Sequence, residues 1–228
     1  LNWIKDSFLL SAILESCQFK KNDLILDVGT GTGILAKAIS PFVGEIIGID
    51  SSPDMLQRCQ QNGNDYYLRC DTRKLIFADN IFDGIVCRSV MQHIRTGITK
   101  VFDQCFRVLK KEKAMILTQF VVPDLAVTAE YDEIFAIKDN RIMWDETQYE
   151  HMMIAAGFKN IKKTIHWTHN FSVKNWIKYS GLNSKKKREL LDKHLEASNE
   201  YKAACNMRIT GGNITISTKA IIFRGEKK

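Results

Sequence analysis

Proline is scarce in this 228-residue chain, with three in all, and no stretch rich in Pro or Ser marks a linker between domains. Internal repeats and low-complexity tracts are missing too, so solenoids and disordered tails are excluded. A single domain over residues 1–228, carrying one insertion, is expected. No apolar run approaches the roughly 18–20 residues that cross a bilayer, so no membrane span is expected. The six cysteines (Cys17, Cys59, Cys70, Cys87, Cys105 and Cys205) contain no C-x-x-C pair and no Cys/His cluster at zinc spacing. Several sit in apolar runs, as in Gly84-Ile85-Val86-Cys87. This usage predicts buried free thiols in a reducing cytoplasm, with no metal site. The opening residues Leu1 to Leu10 carry Lys5 and Asp6, and read as an amphipathic helix rather than a signal peptide.

Apolar residues make up 45% and charged residues 26%, as in an ordinary globular protein. The net charge of +7 is unevenly spread. Residues 1–158 hold 17 Lys/Arg against 21 Asp/Glu, a net of −4, whereas residues 159–228 hold 16 against 5, a net of +11. Such a block suits either an anionic partner such as nucleic acid or a solvated helix face. Lys185-Lys186-Lys187-Arg188 opens an apparent helix, which favours the solvated face.

Short β-branched runs alternate with helical stretches through the first two-thirds, the rhythm of βαβ units and a parallel sheet. Strands are expected at Leu24–Val28, Glu45–Asp50, Tyr66–Cys70, Phe82–Cys87 and Ala114–Thr118. Helices are expected from Ile34 to Ile39, after Ser51-Ser52-Pro53-Asp54, and from Thr99 to Leu109. Beyond Phe120 come helical patterns at Thr128–Ile137, Glu146–Ala156, Val173–Tyr179 and Lys185–Cys205. Asn160–His169 reads as a sixth strand, and Gly211-Gly212 turns the chain into a closing strand, Asn213–Phe223.

The informative segment is Leu24-Ile25-Leu26-Asp27-Val28-Gly29-Thr30-Gly31-Thr32-Gly33. An apolar strand runs into alternating glycines and then a helix, where a ligand can approach the backbone and find free N–H groups. Asp50 ends the next strand, where a carboxylate can accept bonds from both ribose hydroxyls of an adenosine. The dinucleotide fingerprint G-x-G-x-x-G needs its third glycine at position 34, which is Ile34. Glycines at 29, 31 and 33 behind Asp27 depart from that pattern.

This arrangement resembles the class I S-adenosylmethionine-dependent methyltransferases, and within them the ubiquinone/menaquinone-methylase-like, small-molecule branch. The likeness continues through Asp50, Cys70-Asp71-Thr72, the run Phe82 to Ile94 and Arg107-Val108-Leu109-Lys110, covering about residues 20–120. It implies a Rossmann-like, doubly wound α/β sheet of seven strands, mostly parallel with the last antiparallel, plus a helical lid insertion within residues 121–212. It implies S-adenosyl-L-methionine as cofactor, with its methionine half at Asp27, Gly29 and Gly31, and Thr30 and Gly33 completing the turn. Asp50 would hold the ribose, Ser51 and Met55 would lie near the adenine, and Asp71 would face the adenine amino group beside Thr72. Arg88, Ser89 and Val90 would line the cofactor close to its methyl. The family often has Leu-Lys-Pro-Gly-Gly before the fifth strand, where this chain reads Leu109-Lys110-Lys111-Glu112-Lys113.

His93, just after the fourth strand, is the candidate catalytic residue, as a general base or as a side chain that fixes geometry. In His166-Trp167-Thr168-His169, strand alternation puts Trp167 and His169 on one face and His166 on the other. Trp167, His169, Tyr131 and Trp144 are candidate substrate contacts, although packing explains buried aromatics equally well. The segments Val122–Asp145 and Val173–Met207 are expected to form the lid. A small-molecule or small-peptide acceptor is therefore expected, on a monomer or homodimer. Nucleic acid is disfavoured because no RNA-binding module and no Asn-Pro-Pro-Tyr-like motif is present. An RNA methyltransferase and a non-catalytic cofactor-binding regulator are the alternatives.

Overall fold

The structure, a computed structural model, describes residues 6–59, 65–139 and 141–228. Its organising element is one mixed sheet. The strands are β1 (Leu24–Val28), β2 (Glu45–Asp50), β3 (Asp65–Arg69), β4 (Phe82–Arg88), β5 (Leu109–Val121), β6 (Lys159–Ser172), β7 (Arg208–Thr210) and β8 (Asn213–Lys227). They lie in the order β3-β2-β1-β4-β5-β8-β6, with β1 to β5 parallel to one another. β8 enters antiparallel between β5 and β6, as expected for the last strand. The sheet thus has the doubly wound plan, and strand order reverses between β1 and β4. Ligands bind at such a switch point, outside the carboxyl ends of the strands.

Two layers of helix cover the sheet. On one face α1 (Ser7–Cys17) and α2 (Ile34–Ile39) bury Leu9, Ile13, Leu35 and Ile39 against Ile25, Val86, Ile116 and Ile222. On the other, α4 (Ile98–Val108) presents Val101, Phe102, Cys105 and Val108, an apolar stripe at helical spacing. Beside it α6 (Glu146–Ala155) adds Tyr149 and Met153. The short α3 (Pro53–Leu56) follows β2.

The insertion has a core of its own. α5 (Thr128–Ala136), α7 (Val173–Lys178), α8 (Ser184–Glu196) and α9 (Asn199–Ala204) gather Tyr131, Phe135, Trp176, Leu190 and Tyr201 around the first half of β8. No helix among the described residues is long and apolar enough to cross a membrane.

Several expected boundaries move. The first described helix starts at Ser7, where the Asp6 carboxylate caps it by accepting from the Phe8 and Leu9 amides; residues 1–5 of the expected Leu1–Leu10 helix lie outside the described residues. The expected helix Lys185–Cys205 is two helices, broken at Ala197 and restarted by Ser198, whose hydroxyl caps α9. The fifth strand begins five residues early because Lys110 and Lys113 are anchored to Asp83 and Asp23 at 2.9–3.1 Å. Strand β7 was not anticipated; it pairs with β8 across the Gly211-Gly212 turn.

Candidate active site

β1 delivers Asp27 and Val28 to the carboxyl end of the sheet, and the chain then turns through Gly29–Gly33 into α2. The Thr30 amide donates to the Ile49 carbonyl at 2.9 Å, which ties the turn to β2. Behind it the Thr30 hydroxyl donates to Asp27 Oδ2 at 2.7 Å. Two glycines are needed for different reasons. At Gly29 (φ 68°) a Cβ would lie 2.3 Å from Val90 Cγ2, so glycine lets the segment after β4 close onto the turn. At Gly31 (φ 57°) a Cβ would meet nothing within 4 Å among the described residues, so the space beside its backbone is open. Gly33 caps α2, with the Tyr67 hydroxyl close against it.

Three carboxylates lie at the carboxyl ends of three adjacent strands, Asp27 in β1, Asp50 ending β2 and Asp71 just beyond β3. Asp50 Oδ2 accepts the Gly31 amide and Oδ1 the Ser52 amide, each at 2.9 Å, which leaves a lone pair on each oxygen. Ser51 and Met55 follow it and are exposed. Asp71 accepts the Arg73 amide at 2.9 Å and its guanidinium at 2.7 Å, and the Arg73 bonds hold its carboxyl below the usual range. Thr72 beside it is buried. Asp27 is 1% exposed, and burial pushes its carboxyl up to about 6, against the opposing bond from Thr30.

That elevation fixes a pH dependence. The native state holds the Asp27 proton to higher pH than the unfolded chain does, so stability falls as pH rises from about 4 to about 6 and stays low above. Asp27→Asn should therefore stabilise the ligand-free protein at pH 7.5 by about 2–3 kcal/mol, two pKa units at 1.36 kcal/mol each. The gain should vanish near pH 4; urea unfolding at the two pH values checks both.

On the β4 side, Arg88 is half-buried and within electrostatic reach of Asp27 and Asp6; burial lowers its pKa. Ser89 takes φ 57°, a left-handed backbone that costs a non-glycine residue and is found where a loop's position matters. Its amide donates to the Thr118 carbonyl, which sets it against β5. Val90 packs over Gly29 as described. His93 lies in the turn Met91–His93, accessible to solvent, with Nε2 at 3.3 Å from Gln92 Nε2. Desolvation by the surrounding protein, then the Arg141 guanidinium, push its imidazole pKa down, so it is neutral near pH 7.

The turn, the three strand ends and residues 88–90 thus come together. The expected substrate contacts are scattered. Tyr131 is 2% exposed inside the insertion, stacked on Phe135 at 4.2 Å. Trp144 packs on the main core at the start of α6. Trp167 and His169 share a face of β6, as alternation predicts, with parallel rings 6.5 Å apart. His166, on the other face, meets Asp6 at 3.4 Å. Sequence reasoning missed Cys59, whose thiol donates to the Gly31 carbonyl at 3.1 Å, and Tyr67. Neither has a motif around it.

An open glycine turn beside strand-end carboxylates suits a ligand with hydroxyls and a cationic end. Residues 26–117 match Methyltransf_11, a methyltransferase domain family. The chain is 25% identical over 232 residues to the uncharacterized methyltransferase YcgJ of Bacillus subtilis, covering 96% of this chain and 90% of that one. Residues 26–117 thus carry a methyltransferase domain, and the likeness to a methyltransferase extends over nearly the whole chain. The ubiquinone/menaquinone biosynthesis C-methyltransferase UbiE of Coxiella burnetii is 32% identical to this chain over 130 residues, about half the length of each (52% and 52%). The fold agrees: the solved structure of YcgJ superposes with a TM-score of 0.87 at 22% identity, covering 96% and 97%. Phosphoethanolamine N-methyltransferase 2 of Haemonchus contortus, solved with S-adenosyl-L-methionine, superposes at 0.68 and 20% identity, covering 96% of this chain and 52% of its own.

Proposed function

We propose that this enzyme binds S-adenosylmethionine across the carboxyl ends of β1 and β2, and methylates a small-molecule or small-peptide acceptor on O, N or an activated C. The observation that carries the reading is the space at Gly31, with its amide held by Asp50. The free lone pairs of Asp50 suit the two ribose hydroxyls. Asp27 offers a buried negative charge, costly alone and stabilised by a cationic amino group. Ser51 and Met55 flank the adenine position, and Asp71 reaches the adenine amino group beside Thr72 once Arg73 yields. Gly29, Thr30, Gly33, Arg88, Ser89 and Val90 complete the wall.

When bound, S-adenosylmethionine supplies an electrophilic methyl on a positively charged sulfur. The chain's own contribution is alignment and exclusion of water, and proximity alone is worth about 7–11 kcal/mol. We read His93 as a residue that fixes geometry, its Nε2 already facing Gln92 Nε2 at 3.3 Å and its other ring nitrogen left for one further hydrogen bond. His93→Gln should then lower turnover by only about 10- to 100-fold, at or below the low end for a general base. Loss of an acid limb from the pH–rate profile, with a fall beyond about a thousandfold, would reassign it as the base.

A discrete acceptor is favoured by the insertion, which has its own core and is tied to the His93 turn by the Ile142 amide donating to the Gln92 carbonyl at 2.9 Å. RNA is disfavoured because Lys185, Arg188 and Lys193 on exposed α8 are interspersed with Glu189, Asp192 and Glu196. The test is incubation with S-adenosylmethionine and a small-molecule cell extract, followed by mass spectrometry for products heavier by one methylene. Such products support the proposal; methylation of RNA alone, or cofactor binding without any product, overturns it.

A further inference from the structure

Five polar side chains near the carboxyl ends of β4 and β5 have buried atoms without a hydrogen-bond partner among the described residues: Ser89 Oγ, Gln92 Oε1, both amide atoms of Gln119, Trp144 Nε1 and Tyr149 Oη. Gln119 and Tyr149 are fully buried and Gln92 is 4% exposed. Topology places them on one side of the sheet. Gln119 lies between Leu117 and Val121, which face α4 and α6, and its register partner is Ile221 of the same cluster. Ser89 is fixed beside it by its bond to Thr118. The Ile142 amide ties the approach to Trp144 to Gln92, and Glu146 meets Lys219, the register partner of Val121, at 3.3 Å. The start of α6, with Trp144 and Tyr149 on the same cluster, is thereby held over the end of β5.

Buried polar atoms without partners weaken a fold, and their concentration at one place calls for a ligand or a purpose. We propose that these five side chains form the polar wall of the methyl-acceptor site, which takes a neutral acceptor presenting both a hydrogen-bond donor and an acceptor, such as a carboxamide or hydroxy-carbonyl group. The inference rests on the methyltransferase reading above. Trp144 can only donate, Gln92 Oε1 only accept, and Gln119, Ser89 and Tyr149 do both. None is charged near neutral pH, since burial pushes the Tyr149 hydroxyl further up. Of the nearby charges, Lys219 pairs with Glu146, Lys138 and Arg141 pair with Asp139, and Arg88 lies within electrostatic reach of Asp27 and Asp6. A charged acceptor would have to compete for a partner already engaged, which disfavours it.

The test uses benzamide, benzoate and benzylammonium as probes of similar shape, titrated into protein saturated with S-adenosylhomocysteine. Benzamide should bind at least about tenfold more tightly than either ion, and Gln119→Leu should remove that preference, as in sites built to hydrogen-bond their ligand. Because Leu has no polar atoms to strand, Gln119→Leu should raise the melting temperature of the ligand-free protein by about 2–6 °C. Trp144→Phe, which deletes one N–H, repeats the binding test if Gln119→Leu does not fold. A lower melting temperature would mean that Gln119 is satisfied by a structural water, and would overturn the proposal. So would equal binding of the ions, or no binding of any probe. S-adenosylhomocysteine affinity of the wild type is read separately: its absence sinks the methyltransferase reading, whereas its presence without benzamide preference sinks this inference alone.

Discussion

Gly31→Val will yield a folded protein that no longer binds S-adenosylmethionine. A Cβ added at Gly31 meets no described atom within 4 Å, so the ligand-free protein offers open space beside the turn. The cost of the substitution is backbone strain: at φ 57° a branched residue loses about 1–2 kcal/mol, a fraction of a typical domain's stability. The branched carbons then occupy the space beside the turn that the proposal gives to the cofactor. Gly29 makes the contrast, because a Cβ there collides with Val90 and disturbs the turn itself. Circular dichroism should show the Gly31 variant folded while calorimetry shows no heat of binding. Wild-type affinity would place the ligand elsewhere.

Asp50→Ala has the second largest expected effect. The carboxylate joins the turn to the end of β2 through the Gly31 and Ser52 amides and retains two lone pairs for the ribose. Losing charge-assisted bonds of this kind costs about 1.5–3 kcal/mol, or about 10- to 150-fold in affinity. Asp50→Asn keeps one acceptor and should fall between. Calorimetric dissociation constants for the three proteins check the order; equal affinities would remove Asp50 from the site.

Both residues were legible in the sequence because their chemistry is local. An apolar strand, glycines at 29, 31 and 33 and an acid ending the next strand lie within one βαβ unit, and periodicity alone recovers β1 to β5 in order. What escaped depends on contacts distant in the chain. Helices α8 and α9 part where Glu130 grips both the amide and the hydroxyl of Ser198, 68 residues away. The Asp6 carboxylate anchors α1 to β6 by accepting from Thr168, 162 residues away. Strand β7 is three residues long, too short to show alternation. Gln119 did leave a signal: the one amide between Ala114 and Phe120 follows Thr118 in a mostly apolar run, at a position the strand buries. Glu112 stands where the family often has glycine and takes φ 59°, keeping the turn's left-handed backbone at some cost in strain.

The most direct test of the account is calorimetric titration of the purified protein with S-adenosylmethionine, S-adenosylhomocysteine and NAD in metal-free buffer. Glycines at 29, 31 and 33, with Asp27, Asp50 and Asp71 at three strand ends, predict saturable one-to-one binding of the first two and no heat from the third. Binding of NAD without binding of S-adenosylmethionine would contradict it.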